Sequence, residues 1–216
     1  MKRRELLILG ISTLGVHGCA PSLVTGPGKS PIGIPVVPAY ESLFIATGSS
    51  SLLGASAAGE NDSVASRIKK TFADSLDSVS SELATKLIDQ FSRRGMVAQV
   101  VPYAQANSNL VMSYSHVALT SVLECTPIYQ FGRDRQITFA ILVKQVDTRS
   151  NAEWRTMFMF GSVAFLGGAG RKILGNAISS EDDWYPLPGN TASMKEKIVR
   201  RLPAIAEAIA AHYTTA

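Results

Sequence analysis

The chain has 216 residues, of which 46% are hydrophobic and 18% are charged, and its formal net charge is +4 at pH 7. This length is enough for one domain with a buried core, and two cysteines are too few for a framework of disulfides. Residues 1–18 hold three basic residues and one acidic residue, so the rest of the chain carries only +2. Such a small charge does not indicate nucleic acid as a partner.

The N-terminal residues follow the pattern of a secretory signal. Basic residues at positions 2–4 precede a short apolar stretch at 6–16, and Gly18 and Cys19 close it. The apolar stretch is too short to span a bilayer, and a small residue lies directly before the expected cleavage site. The pattern therefore predicts a cleaved signal peptide at residues 1–18.

A cysteine directly after a small residue resembles the lipobox of bacterial lipoproteins, here with His17 where Ala, Ser or Thr is typical. The resemblance implies that signal peptidase II cuts before Cys19 and that Cys19 carries diacylglycerol and a further acyl chain such as palmitate. Two or more acyl chains hold a protein stably on a membrane. Ala20 stands where Asp is the familiar inner-membrane retention signal, so the periplasmic side of the outer membrane is favoured. The alternative interpretation is an ordinary secretory signal or a short amphipathic N-terminus.

The segment after the cysteine contains five prolines and three glycines between residues 20 and 39. Proline removes backbone donors and glycine widens the unfolded ensemble, so no packed element is predicted there. We expect residues 19–39 to be the lipidated cysteine and a tether, and residues 40–216 to form a single domain. An extended arm on the domain surface is the alternative, because Ile34 and Val36 supply apolar side chains.

A long amphipathic helix is predicted at about 62–94, after a short buried strand at 42–46. Apolar residues recur there every three or four positions, and Gly95 is a natural stop for the helix. Three residues of this helix and one of the C-terminal helix are expected to be buried: Phe72, Leu83, Leu87 and Ile205.

After Gly95 the apolar period falls to two, which predicts strands. They are expected at 96–102, 110–123, 136–146 and 152–160, and the last two form a hairpin. A C-terminal helix is predicted at about 191–212, since Ser193 and Glu196 have the spacing of a capping box, and Pro203 should kink it.

The order of these elements predicts an α+β fold. We expect a two-layer sandwich in which a mostly antiparallel sheet of about 4–5 strands is covered by the two helices. The order resembles that of periplasmic lipoprotein domains, and so, loosely, do the stretches at 108–114 (SNLVMSY) and 147–155 (DTRSNAEWR). No single family is assigned by these stretches.

The glycine-rich stretch at 161–178 is the most unusual part of the expected domain. Ile173 follows Lys172 where a phosphate-binding loop requires Ser or Thr, and the stretch is too short and too charged to span a membrane. We expect a loop or a flap that touches a partner or the membrane, with burial against the chain's own sheet as the alternative. The possible partner contacts there and in the following acidic turn are Phe165, Leu166, Ile173, Leu174, Trp184 and Tyr185.

No group of residues indicates catalysis or metal binding. The histidines His17, His116 and His212 are far apart in the sequence, and no nucleophile elbow or calcium loop occurs. Cys125 is expected to be a small buried hydrophobe rather than a nucleophile. We therefore expect no cofactor, no metal and no catalytic residues.

The lipid anchor, the tether and the compact domain favour a non-enzymatic lipoprotein. We expect an accessory or structural subunit of a cell-envelope assembly that serves secretion, conjugation or outer-membrane biogenesis. Its partners would be the membrane, through the N-terminal lipid, and envelope proteins. The alternatives are a lipoprotein regulator of peptidoglycan synthesis and an envelope hydrolase whose site is assembled only in space.

Overall fold

The computed structural model of the chain describes residues 31–46, 76, 78–103, 114, 119–131, 136–150, 152–161, 170–179 and 191–214. The strands are β1 Ile32–Pro35, β2 Leu43–Ala46, β3 Ala98–Val101, β4 Ser121–Phe131, β5 Gln136–Asp147, β6 Glu153–Phe160, β7 Gly170–Gly175 and β8 Ile178–Ser179. The helices are α1, described at 76 and 78–93, α2 Thr191–Val199 and α3 Leu202–Thr214. A 3-10 turn, Ala39–Glu41, links β1 to β2.

The described strands form one mixed sheet in the order β3-β1-β4-β5-β6-β7, with β2 beside β4 and β8 beside β5. The long strands β4, β5 and β6 are antiparallel to one another, whereas β1, β2, β3 and β7 join their neighbours in parallel. The α+β class is confirmed. The expected sheet of about 4–5 mostly antiparallel strands is approximately consistent with the structure but not exact, because the short strands β1, β7 and β8 show too few alternations to be recognised in the sequence.

The end of α1 confirms the stop predicted at Gly95. Gly95 has φ 72°, its N–H donates to the carbonyl of Ser92 at 2.9 Å, and the N–H of Met96 donates to the carbonyl of Phe91 at 3.0 Å. This pair of bonds is a Schellman motif, which satisfies carbonyls at the end of a helix and needs a residue that tolerates positive φ. Met96 and Phe91 also belong to the same buried cluster.

The C-terminal helix is broken rather than kinked. α2 ends at Val199 and α3 begins at Leu202, because Pro203 has no N–H to donate to the preceding turn. At this junction the Arg201 guanidinium lies over the ring of Phe160, 4.9 Å from its centroid. The burial predicted for Ile205 is confirmed, and it belongs to an apolar stripe along both helices whose other fully buried residues are Ile198, Leu202 and Ile209.

The main core lies between the three helices and one face of the sheet, which we call the helix face. Leu83 and Leu87 of α1 are 1% and 0% exposed, as predicted, and Phe72 lies outside the described residues. They pack in one cluster with alternate residues of the central strands, such as Phe139 of β5 and Phe158 of β6. Alternation along each strand therefore decides which side chains the helices cover.

The opposite side of the sheet, the second face, is also buried over much of its area. An apolar cluster of Ile128, Ala140, Met157 and Met159 lies there, and a smaller one of Tyr114, Val122 and Val146. Within the described residues, no helix contributes to these two clusters.

The interpretation of residues 20–39 as a tether is wrong for residues 32–39. β1 lies between β3 and β4, and its residues Ile32 and Ile34 are 4% and 1% exposed. A Cβ added at Gly33 would lie 2.8 Å from Leu119 and 3.1 Å from Val122, so glycine is what allows β1 to pack closely there. The folded domain therefore begins by residue 32, and the residues before 31 lie outside the described part.

Other boundaries also differ from the expectation. The hairpin of β5 and β6 is confirmed, and β3 lies inside the strand predicted at 96–102. β4 overlaps the strand predicted at 110–123 only at its start, and residues 110–113 lie outside the described part. β2 is less buried than predicted, since Leu43 is 40% exposed.

Candidate functional site

The predicted partner contacts that lie within the described residues are on β7. Ile173 and Leu174 lie in this strand, whereas Cys19, Phe165, Leu166, Trp184 and Tyr185 lie outside the described residues. The expectation of a loop is wrong for residues 170–175 and 178–179, which pair with β6 and β5 as strands. The glycines at both ends of β7 and its two charged residues obscured this strand in the sequence.

β7 is the last strand of the described sheet, and its side chains differ in exposure. Four consecutive residues from Gly170 to Ile173 are exposed, and Ile173 is the most exposed large hydrophobic residue described, at 68%. Leu174 is half-buried and packs against the main core at an irregularity in the pairing with β6. Ile173 is thus accessible to a partner, whereas Leu174 packs against the core.

β3 is the last strand at the opposite end of the described sheet. Val97 and Val100 are 66% and 56% exposed, and Gln99 between them is also exposed. The two ends differ in charge, because β7 carries Arg171 and Lys172 whereas β3 has no charged residue.

A group of charged residues crosses three strands on the second face. The Glu124 carboxylate accepts a hydrogen bond from the Tyr114 hydroxyl at 3.0 Å and pairs with the Lys144 ammonium at 3.2 Å. Lys144 also lies 3.8 Å from Glu153, which pairs with Arg155 at 3.1 Å. The Glu124 and Lys144 side chains are only 9% and 13% exposed, so the innermost pair is largely removed from water.

This polar group was missed by sequence reasoning. Glu124, Lys144 and Arg155 are opposite one another on adjacent strands, a position that depends on the register. The available signal was a charged residue within each of the strongly apolar strands β4 and β5, because a charged residue requires a partner when it is buried. The arrangement stabilises the fold by pairing charges, and it presents the exposed Arg155 guanidinium at its outer end.

Tyr103 lies beyond the end of β3, near the same group. Its burial and the carboxylates of Glu124 and Glu41 raise the pKa of Tyr103 well above its ordinary value. The phenol therefore stays protonated at neutral pH and can act there only as a neutral hydrogen-bonding group.

Cys125 is buried in β4, as expected from the sequence. Its Sγ lies 3.8 Å from the carbonyl oxygen of Leu123, and burial raises the pKa of the thiol far above its usual range. A thiol in this state forms too little thiolate to react as a nucleophile. His116, the histidine nearest to Cys125 in the sequence, lies outside the described residues.

His212 packs against aromatic rings on α3 and β6. Its ring centroid is 5.7 Å from that of Phe158 and 4.8 Å from that of Tyr213. Burial, with a smaller effect from Lys172, lowers the pKa of His212. Protonation of His212 is therefore less favourable in the folded chain than in the unfolded chain. The contribution of His212 to the free energy of unfolding falls as the pH drops below the ordinary pKa of histidine.

The described residues lack a metal-ligating cluster and a membrane-spanning helix. They hold no group of three or more His, Cys, Asp or Glu side chains that could bind a metal ion. Among the described helices, none is long and apolar enough to cross a membrane.

Comparison of the chain with models of protein families finds no matching family, and comparison with curated proteins finds no match. Function therefore has to be inferred from the residues of this chain alone.

Proposed function

We propose that the chain is a lipid-anchored lipoprotein of the bacterial envelope that acts as a non-enzymatic accessory or structural subunit of an envelope assembly. The observation that carries the proposal is the cationic and apolar start of the chain followed by Gly18 and Cys19. Acylation of Cys19 would place the domain on the periplasmic face of a membrane, with Ala20 favouring the outer membrane. Secretion, conjugation and outer-membrane biogenesis are the assemblies that we consider.

The described domain suits a docking role. Its innermost charged pair and its thiol are buried, so the chemistry of these groups stabilises the fold. The surface presents strand edges with exposed apolar side chains, which are Ile173 on β7, Val100 on β3 and Val97 directly before β3. Exposed apolar side chains on an accessible strand are a common way to bind another protein.

Replacement of Cys19 by alanine should release the chain from the membrane. The wild-type chain should float with membranes and give an N-terminal peptide whose mass includes a diacylglycerol and a further acyl chain, because the lipid supplies the anchoring free energy. Ser22→Ala, three residues away, is the matched control and should leave fractionation unchanged. An unmodified Cys19, or a Cys19→Ala chain that still fractionates with membranes, would contradict the anchor.

Replacement of Ile173 by serine should weaken binding to an envelope partner without weakening the fold. The side chain is 68% exposed, so its removal uncovers no core and the melting temperature should stay within the range of surface changes. The measurement is the yield of co-purifying proteins from cross-linked membranes, for wild type and variant at equal expression. Leu43→Ser, at another exposed apolar position, is the control.

The same purification separates the three functional classes. Recurrent partners from a secretion, conjugation or outer-membrane assembly support the proposal, and a peptidoglycan synthase among them favours the regulator. A purified chain that hydrolyses an envelope component without any partner would instead support the hydrolase and overturn a purely structural role.

A further inference from the structure

The two edge strands of the described sheet differ in how well they are protected against the addition of another strand. β7 carries Arg171 and Lys172 and has an irregularity in its pairing with β6, both of which discourage another strand from adding to it. β3 has neither device. Its pairing with β1 is regular over all four residues, and the exposed side chains there are uncharged.

β3 is the last strand of the described sheet, and two of its four residues are exposed. Val97, Gln99 and Val100 are exposed, two of them to more than half, while Val101 is 4% exposed. Because β3 pairs only with β1 among the described strands, the backbone groups on its other side have no partner within the described sheet, and such groups can bond to a further strand. Addition of a further strand is energetically least unfavourable at an edge like this one, which has β-branched residues and no charge.

The composition of β3 fits a second copy of the same strand. In an antiparallel pair about a two-fold axis at Gln99, each residue meets a compatible one: Gln99 meets Gln99, Ala98 meets Val100, and Val97 meets Val101. A glutamine amide both donates and accepts hydrogen bonds, so it is complementary to itself across the axis. The same operation on β7 would place Lys172 of one copy opposite Lys172 of the other, and like charges directly opposite are destabilising.

We propose that β3 is the dimerisation edge of this chain, where two copies pair antiparallel and join their sheets. The contact is isologous, as in most two-fold dimers. A ladder of a few residues buries less than the roughly 1,200 Å² typical of stable complexes, so the pair would be weak in dilute solution. The lipid anchor assigned under the proposed function would confine both copies to one surface and raise their effective concentration.

A symmetric disulfide tests this pairing directly. Residues opposite each other in an antiparallel pair have Cα atoms about 4.5–5.5 Å apart, within the range that a disulfide spans. The full-length Gln99→Cys chain is oxidised mildly in its native membranes and run without reductant, and we expect a band at twice the monomer mass. Ile173→Cys, equally accessible on the opposite edge, is the matched control and should give no such band, and the buried Cys125 should not react.

Adding Val100→Lys to the Gln99→Cys chain should abolish the dimer band, because a lysine protects a strand edge. Val100 is 56% exposed, so thermal unfolding of this variant should match that of its parent. Equal cross-linking at positions 99 and 173, persistence of the band with Val100→Lys, or a product whose mass shows a different protein at the edge would overturn the proposal.

The experiments can contradict the proposed lipid anchor and the proposed dimer independently of each other. If Cys19 is acylated and the Gln99→Cys chain gives no dimer band on membranes, the dimerisation edge is wrong while the anchor stands. If Cys19 is unmodified but a purified Gln99→Cys, Cys19→Ser chain cross-links increasingly with concentration, the anchor is wrong while the dimerisation edge stands.

Discussion

Replacement of Leu83 by alanine should lower the free energy of unfolding by about 2–5 kcal/mol, the range for buried Leu→Ala changes. Leu83 is 1% exposed and lies near the middle of the described part of α1, in the cluster that joins the helices to the sheet. Movement of a single neighbour could not fill the cavity that the substitution leaves, because residues of both helices and strands form this cluster. Chemical denaturation followed by circular dichroism gives the free energy and the midpoint.

Ser81→Ala is the control for this prediction, since Ser81 is an exposed residue one half-turn away on the same helix. Its effect should lie within about 0.5 kcal/mol, as is usual for surface changes. A Leu83→Ala loss no larger than that of the control would mean that α1 does not pack on the sheet through this stripe.

Replacement of Lys144 by methionine should lower the free energy of unfolding by about 3–5 kcal/mol, the cost of breaking a buried ion pair from one side. Methionine keeps the apolar stem of the lysine but removes its ammonium group. The Glu124 carboxylate, whose side chain is 9% exposed, would then keep the Tyr114 hydroxyl and lose the cation 3.2 Å away. Denaturant unfolding at neutral pH measures the loss.

Two further variants identify the cause of that loss. Arg155→Met removes a cation that is 58% exposed from its pair with Glu153, so it should cost less than about 1 kcal/mol. Adding Glu124→Gln to Lys144→Met removes the uncompensated charge and should restore part of the stability. Equal effects of Lys144→Met and Arg155→Met would show that the inner pair is not removed from water.

Local patterns in this chain determined its long elements. The stripe of α1 together with Gly95, and the alternation in β5 and β6, repeat over enough residues to identify the element, its buried face and its end. The α+β class followed from their order. The same patterns predicted the burial of Leu83, Leu87 and Ile205. These features depend on residues within a few positions of each other, which one sequence displays.

Only the tertiary structure decided which short segments join the sheet and which side chains meet. β1 has proline and glycine in a segment of four residues, and its place between β3 and β4 depends on the space that Gly33 leaves for Leu119 and Val122. The contact of Glu124 with Lys144 depends on the register of β4 against β5, and a shift of one residue would move each side chain to the other face. β3 is outermost in the described sheet as a consequence of the strand order, which local sequence does not encode.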